Sequence, residues 1–296
     1  MSSLICRYPL TAFLVWFFTV GQALAFTPMI AHWAVDVELS SEAFVVAATL
    51  VGLLLPAVLI TWVTEGPEGL SALRRRSLNL AVPARWYALA LVGIPLLTVV
   101  GTVGFLGMPE STTASELVSF LLSGLGLQLL IVFVTVNWWE EVAWMGFLQK
   151  RLQDRRGAMG AAALTGVAFA LGHVSLAVGG SWSETATLLG LLLAVGIPFR
   201  ALAGWICNRT DSIALVGLVH AAANATAVGS LAGMGFLPRL YPGGEPGGLV
   251  FPLLALLGVV VIVMTRGRLG RSPVGEHPTR ATPRATVAAP VPQETP

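Results

Sequence analysis

Residues 117–148 read LVSFLLSGLGLQLLIVFVTVNWWEEVAWMGFL, and this stretch decides the fold class of the chain. No charged residue occurs between Glu116 and Glu140, so the apolar run exceeds the roughly 20 residues that a helix needs to cross a bilayer. Because it is too long for an upright span, it either tilts or leaves the hydrocarbon from Trp139 onward. The stretch predicts a membrane-spanning helix with an acidic pair near one end.

The composition of the whole chain extends this prediction. Of 296 residues, 55% are hydrophobic and 11% are charged, and the mean hydropathy is +0.80; soluble domains contain about 25% charged residues. These values exclude a soluble globular enzyme, a disordered chain and a disulfide scaffold. They predict an all-α, polytopic membrane bundle of about eight transmembrane helices. The candidate spans are 10–31, 43–63, 86–108, 117–148, 159–178, 186–207, 212–236 and 248–265.

Basic residues predict the orientation of this bundle. Sixteen of the 17 Lys and Arg fall on alternate connections, with Arg200 and Arg209 counted as flanks of the sixth span, and Arg239 falls on the other side. Such a bias places both the N- and the C-terminus in the cytoplasm. A cleaved signal peptide ending at the A-x-A of residues 23–25 is the alternative for the first span, although the apolar stretch there is long enough to cross.

Few ionisable residues interrupt the spans, and such residues usually mark function. They are Glu140, Glu141, His173 and His220, with the amides of Asn137 and Asn224 nearby. At a rise of about 1.5 Å per residue, Glu140 lies about 15 Å from Lys150 and His220 about 13 Å from Asp211. His173 lies at most about 25 Å from the same side. All three can therefore share one level in the cytoplasmic half of the bilayer.

These residue types suit general acid–base hydrolysis. A carboxylate and an imidazole can activate a water, and a second imidazole with an amide can donate hydrogen bonds to an oxyanion. His220 and Asn224, four residues apart, share a helix face, whereas Glu140 and Glu141 point about 100° apart and need not do the same job. The chain has no serine elbow, Cys–His arrangement or HExxH motif.

Each of these residues also has a structural interpretation. An intramembrane His can join helices by a hydrogen bond, and the Glu pair could merely begin a loop. Two His and a Glu could hold zinc, although nothing fixes the ligand geometry from separate helices. We assign close helix packing to Gly160, Gly166, Ala170 and residues 221–223. We assign interfacial anchoring to Trp138, Trp139 and Trp144.

Three motifs together resemble a known family. EEVAWMGFLQ at 140–149, FALGH at 169–173 and HAAAN at 220–224 are similar, in order, to the EExxxR, FxxxH and HxxxN motifs of the CPBP family. That family comprises CAAX prenyl proteases and bacteriocin-processing or immunity proteins, and is also called the Abi family. The resemblance covers roughly residues 117–230.

The resemblance implies a glutamate-dependent intramembrane endopeptidase whose site opens toward the cytoplasm. Glu140 with His173 would activate the water, His220 and Asn224 would stabilise the oxyanion, and Glu141 would support the site. We expect no cofactor; if the enzyme instead uses a divalent metal such as zinc, its ligands would be Glu140, His173 and His220. The expected partners are the lipid bilayer of the cell membrane and a peptide or membrane-protein substrate, with no nucleic acid.

The predicted spans, the composition and the resemblance together divide the chain. Residues 1–116 would form transmembrane helices 1–3, and residues 117–236 the catalytic core of helices 4–7. Residues 237–266 would hold the last transmembrane helix. Residues 267–296, rich in Pro and without aromatics, would form a disordered cytoplasmic tail.

One motif position departs from the family pattern, because Met145 stands where the family has Arg. An Arg there would lie one turn from Glu141 and pair with it. Without it, Glu141 is either neutral through desolvation or finds another donor, and Lys150 and Arg151 lie too far along the helix. We expect activity to be retained or altered rather than lost. The alternatives are a catalytically weakened membrane adaptor or bacteriocin-immunity protein, and a proton-coupled transporter.

Overall fold

The computed structural model describes residues 2–109, 113–178, 181–230, 233–243 and 246–271, and this part of the chain is mainly helical. A hairpin of β1 (Gly229–Ser230) and β2 (Gly233–Met234) interrupts the helices. The helices are α1 (Ser2–Arg7), α2 (Pro9–Val35), α3 (Ser41–Ser77), α4 (Ala84–Leu106), α5 (Ala114–Gly172), α6 (Trp182–Thr210), α7 (Ile213–Ala227), α8 (Phe236–Leu240) and α9 (Val250–Thr265).

Six helical segments of the described chain are long and apolar enough to cross a membrane. They are α2 to α6 and the segment Pro246–Thr265, which contains α9. Helix α5 has 59 residues and bends at Gly157, whose φ of 71° and ψ of 175° are not helical. The arms on either side of Gly157 correspond to the predicted spans 117–148 and 159–178. The chain is thus an all-α membrane bundle, and the count of eight spans with cytoplasmic termini stays a prediction.

The predicted seventh span, 212–236, is wrong in length. Helix α7 has 15 residues, and the chain then turns into the β1–β2 hairpin. Gly229 and Gly233 adopt φ values of 94° and 118°, which residues with a Cβ rarely reach. These glycines end the apolar helix early, so hydropathy alone overestimated it.

Most apolar side chains of the spanning segments face outward. Between 17% and 33% of the residues in each apolar window are buried inside the protein. Large side chains such as Phe105, Leu122 and Val263 are about 70% exposed. Outward apolar surface of this extent suits a bundle surrounded by lipid, where polar groups must be satisfied internally.

The first long helix packs into the protein core. Phe13 and Phe17 of α2 are 0% and 4% exposed and contact Trp144 with ring centroids 6.2 and 5.0 Å apart. Gln22 Nε2 donates a hydrogen bond to the carbonyl of Gly172, and residues 23–25 lie within the helix. Helix α2 is therefore packed against the protein core, and the choice between a first span and a cleaved signal stays a prediction. The prediction of Trp144 as an interfacial anchor is wrong, because its side chain is 1% exposed among these aromatics.

Small residues bring α5 and α6 together close to the candidate site. A methyl group added to Gly166 would lie 2.6 Å from Ile197 Cα, and one added to Gly196 would lie 3.0 Å from the Gly166 carbonyl oxygen and 3.5 Å from Ala170. The predicted packing role is confirmed for Gly166, Ala170 and the fully buried residues 221–223. It is wrong for Gly160, where an added methyl would meet only Arg156 of the same helix.

The start of the predicted disordered tail is ordered. Leu269 is 0% exposed, and Asn208 of α6 donates a hydrogen bond to its carbonyl oxygen. An apolar side chain within the basic flank therefore attaches this segment to α6. The remainder of the predicted tail, from residue 272, lies outside the described residues.

Candidate active site

The acidic pair lies within α5 and not at its end. Glu140 and Glu141 occupy one α-helical turn, Trp138–Glu141, between two wider π-helical stretches, Phe133–Asn137 and Val142–Gln149. Wider turns of this kind often occur at functional sites. The indole of Trp138 donates to the Ser77 carbonyl oxygen at 3.0 Å and ties the turn to α3. Since both carboxylates are buried, the alternative that they begin a loop is wrong.

Glu141 is paired with a buried arginine from another helix. Arg200 of α6 places Nη1 2.8 Å from both carboxylate oxygens of Glu141, and both residues are 0% exposed. Glu141 Oε1 also lies 3.1 Å from Nδ1 of His220 on α7. The Glu141 carboxylate therefore links its own helix, α5, to both α6 and α7.

Gln149 holds the arginine in this position. Its Oε1 accepts a hydrogen bond from Arg200 Nε at 3.1 Å, and its Nε2 donates to the Arg200 carbonyl oxygen at 3.0 Å. Gly204, one turn further along α6, makes room for the amide, since a methyl group there would lie 2.6 Å from Gln149 Nε2. The guanidinium is thus oriented by both its carboxylate and its amide partner.

Glu140 has looser contacts. Asn137 Nδ2 lies 3.5 Å from Glu140 Oε2, and His220 Nδ1 lies 3.7 Å from the same oxygen. Asn224 Nδ2 donates to Asn137 Oδ1 at 3.3 Å. Among the described residues, no Lys or Arg forms an ion pair with Glu140, whose exposure is 9%. The carboxylate oxygens therefore retain capacity to accept a hydrogen bond from a water.

His173 lies just beyond the end of α5, where its orientation is set by Phe169. Its Nδ1 is 2.7 Å from the Phe169 carbonyl oxygen, and a carbonyl can only accept, so Nδ1 carries the hydrogen. The Phe169 ring lies 4.4 Å from the His173 ring and 5.8 Å from the His220 ring, measured between centroids. The two imidazoles thus flank one phenyl ring, and His173 Nε2 is left to act as a base.

Arg200 is the site residue that the sequence analysis missed. It was counted as a cytoplasmic flank of the sixth span, which is wrong because its side chain is fully buried against Glu141. The depth rule applied to the other residues could have found it. Arg200 lies nine residues before Arg209, or about 14 Å along the helix, which is the level of Glu140 and His220.

The candidate metal ligands have different nearest contacts. In the described part of the chain, no group of three or more His, Cys, Asp or Glu side chains is placed to hold a metal ion. His220 directs Nδ1 at Glu141, and the described contacts of His173 are with Phe169. Whether the site uses a metal stays a prediction.

A comparison with known protein families finds a match to the segment that contains this site. Residues 122–226 match the sequence model of a family described as Rce1-like, type II CAAX prenyl endopeptidase. The matched segment contains all five predicted site residues and Arg200. No curated protein sequence matches the chain.

Proposed function

We propose that this chain, whose residues 122–226 match the model of the Rce1-like CAAX endopeptidase family, hydrolyses a peptide bond within the membrane by means of Glu140 and His173. The observation that carries this mechanism is the contrast between its two carboxylates. Glu141 is neutralised by Arg200, whereas Glu140 has no cationic Lys or Arg partner among the described residues. The oxygens of Glu140 are therefore available to a water, whereas both oxygens of Glu141 are bound by Arg200.

Water activation falls to Glu140 with His173. A water held against Glu140 loses a proton to the carboxylate as its oxygen attacks the scissile carbonyl carbon. His173, whose Nδ1 hydrogen is committed to Phe169, presents Nε2 to share that proton and pass it to the leaving amine. General acid–base assistance of this type contributes about 10²- to 10⁴-fold to a rate.

Oxyanion stabilisation falls to His220 and Asn224. Only one hydrogen of the Asn224 amide is used by Asn137, so the other can donate to the substrate oxygen. A proton on His220 Nε2 would make the ring an imidazolium, whose charge Glu141 balances at Nδ1. Each such donor is worth about 2.7–4 kcal/mol in the transition state.

The test is cleavage of membrane peptides by the purified protein in detergent. Glu140→Gln and His173→Ala should each lower kcat by at least about 100-fold, while Glu68→Gln, which changes an exposed acid of α3, should leave it unchanged. Cleavage that survives both site changes would overturn the mechanism. Equal unfolding temperatures of the variants would show that the loss is chemical.

We also propose that the site faces the cytoplasmic side of the cell membrane and that the substrate is a peptide or membrane protein. The basic flanks of the spans support the orientation, even without Arg200. The adaptor interpretation depended on Met145, and Arg200 removes its premise because Glu141 has a cation. The matched family is described as an endopeptidase family, so the match does not support the transporter alternative.

A further inference from the structure

We infer that Arg200 is the positioning residue of this site: through Glu141 it fixes the orientation of the His220 ring, and it does so in place of a cation at position 145. The inference rests on the proposed function but concerns Arg200, which touches neither the scissile bond nor the water. One helix supplies the carboxylate, and a different helix supplies the guanidinium that holds this carboxylate in place.

The first step is charge balance around Glu141. The carboxylate is 0% exposed, and among the described residues Arg200 is the one Lys or Arg paired with it. Lys150 pairs with Asp154 and Arg151 with Glu65. A buried charge that loses its partner is strongly disfavoured. Without Arg200, the Glu141 carboxylate would therefore lose both its counter-charge and the donor that fixes its orientation.

The second step runs from Glu141 to His220. An ionised carboxylate only accepts hydrogen bonds, so Nδ1 of His220 carries the hydrogen toward Glu141 Oε1 at 3.1 Å. A carboxylate that shifts would take this acceptor away from Nδ1 and leave the imidazole ring free to rotate. Arg200 thus holds the His220 ring in the orientation in which Nε2 is available to the oxyanion of the substrate.

The third step concerns position 145. Met145 is 1% exposed and belongs to an apolar cluster that includes Leu202 and Ile206 of α6. Position 145 is therefore a buried position of the same apolar core as α6, the helix that carries Arg200. An arginine at 145 would start one turn from Glu141, so the two positions can deliver a guanidinium to the same carboxylate from two helices.

Relocation of the cation tests this directly. Arg200→Met should lower kcat about 10- to 100-fold with KM within about twofold, the range for residues that orient a catalytic group. The kcat of Arg200→Lys should lie between that of the wild type and that of Arg200→Met, because a lysine ammonium lacks the planar guanidinium that binds both Gln149 and Glu141. The double variant Met145→Arg/Arg200→Met should have a kcat at least about tenfold higher than that of Arg200→Met. The control Arg155→Met removes an exposed arginine and should have no effect.

A second readout does not need cleavage. The chain has four His, and the ¹⁵N signals of His220 can be assigned by comparison with His220→Gln. The wild type and the double variant should show a His220 Nδ1–H signal shifted by the hydrogen bond to Glu141, and Arg200→Met should lose this shift. An unchanged Nδ1–H signal in Arg200→Met, or a double variant no better than Arg200→Met in this signal and in rate, overturns the inference. Loss of cleavage in the wild type with the expected signals would refute the proposed function alone.

Discussion

Substitution of Gly166 by alanine should disturb the site from a distance. The new methyl group would lie 2.6 Å from Ile197 Cα and 2.9 Å from Ile197 N. Carbon atoms in contact prefer about 3.5–4.0 Å, so α5 and α6 must separate locally by about 1 Å. Backbone atoms cannot swing aside as a side-chain end can. The separation falls between the arm that carries His173 and the helix that carries Arg200.

The energetic and catalytic effects can be estimated separately. Overpacking of a buried contact costs about 1–3 kcal/mol, and replacement of a helical glycine by alanine returns about 0.5–1 kcal/mol. The net loss of unfolding free energy should be about 0–2.5 kcal/mol. A displacement of about 1 Å at a catalytic group can cost about 100-fold in rate, so activity should fall far more than stability.

The matched control is Gly190→Ala on α6. Gly190 is exposed, and an added methyl would meet no atom within 4 Å, so this variant should be at least as stable as the wild type and equally active. Thermal unfolding in detergent and peptide cleavage would be measured side by side. If Gly166→Ala matched Gly190→Ala in both assays, the packing argument would be refuted.

Three further predictions concern other parts of the molecule. Glu141→Gln leaves a buried arginine without a counter-charge and should lower the unfolding free energy by about 3–5 kcal/mol; an unfolding temperature equal to that of Glu68→Gln would contradict this. Phe13→Ala removes a ring that is 0% exposed and should cost about 3–5 kcal/mol, whereas a negligible loss would mean that α2 is dispensable. If Glu140 and His173 activate the water as proposed, cleavage should persist after treatment with a chelator; loss that zinc alone restores would speak for a metal.

The sequence predicted the class of fold because charge and apolar length act locally. A run of about 20 uncharged residues indicates a span wherever it occurs, and the family motifs identified the acidic pair and both imidazoles. The length of α7 could not be read in this way, because it is ended by backbone conformations at Gly229 and Gly233. A hydropathy profile does not report backbone conformations.

Arg200 was missed because pairing is a property of two helices. An arginine near the end of a span has the same local sequence whether it reaches the headgroups or turns inward to a carboxylate. Only the distance from Arg209 separates the two cases. Trp144 was misassigned for a related reason, since a tryptophan beside charged residues is typical of an interface, and the aromatic partners Phe13 and Phe17 are remote in sequence.

The Glu141–Arg200 pair also has a consequence for biogenesis. The two residues are 59 positions apart, so at about 5–20 residues per second the carboxylate is made about 3–12 s before its counter-charge. A lone charge near the centre of a helix adds about 2.5–3.5 kcal/mol to the free energy of insertion. The first arm of α5, before Gly157, therefore gains its full affinity for the bilayer only when α6 emerges, and the two helices should enter the membrane as a unit.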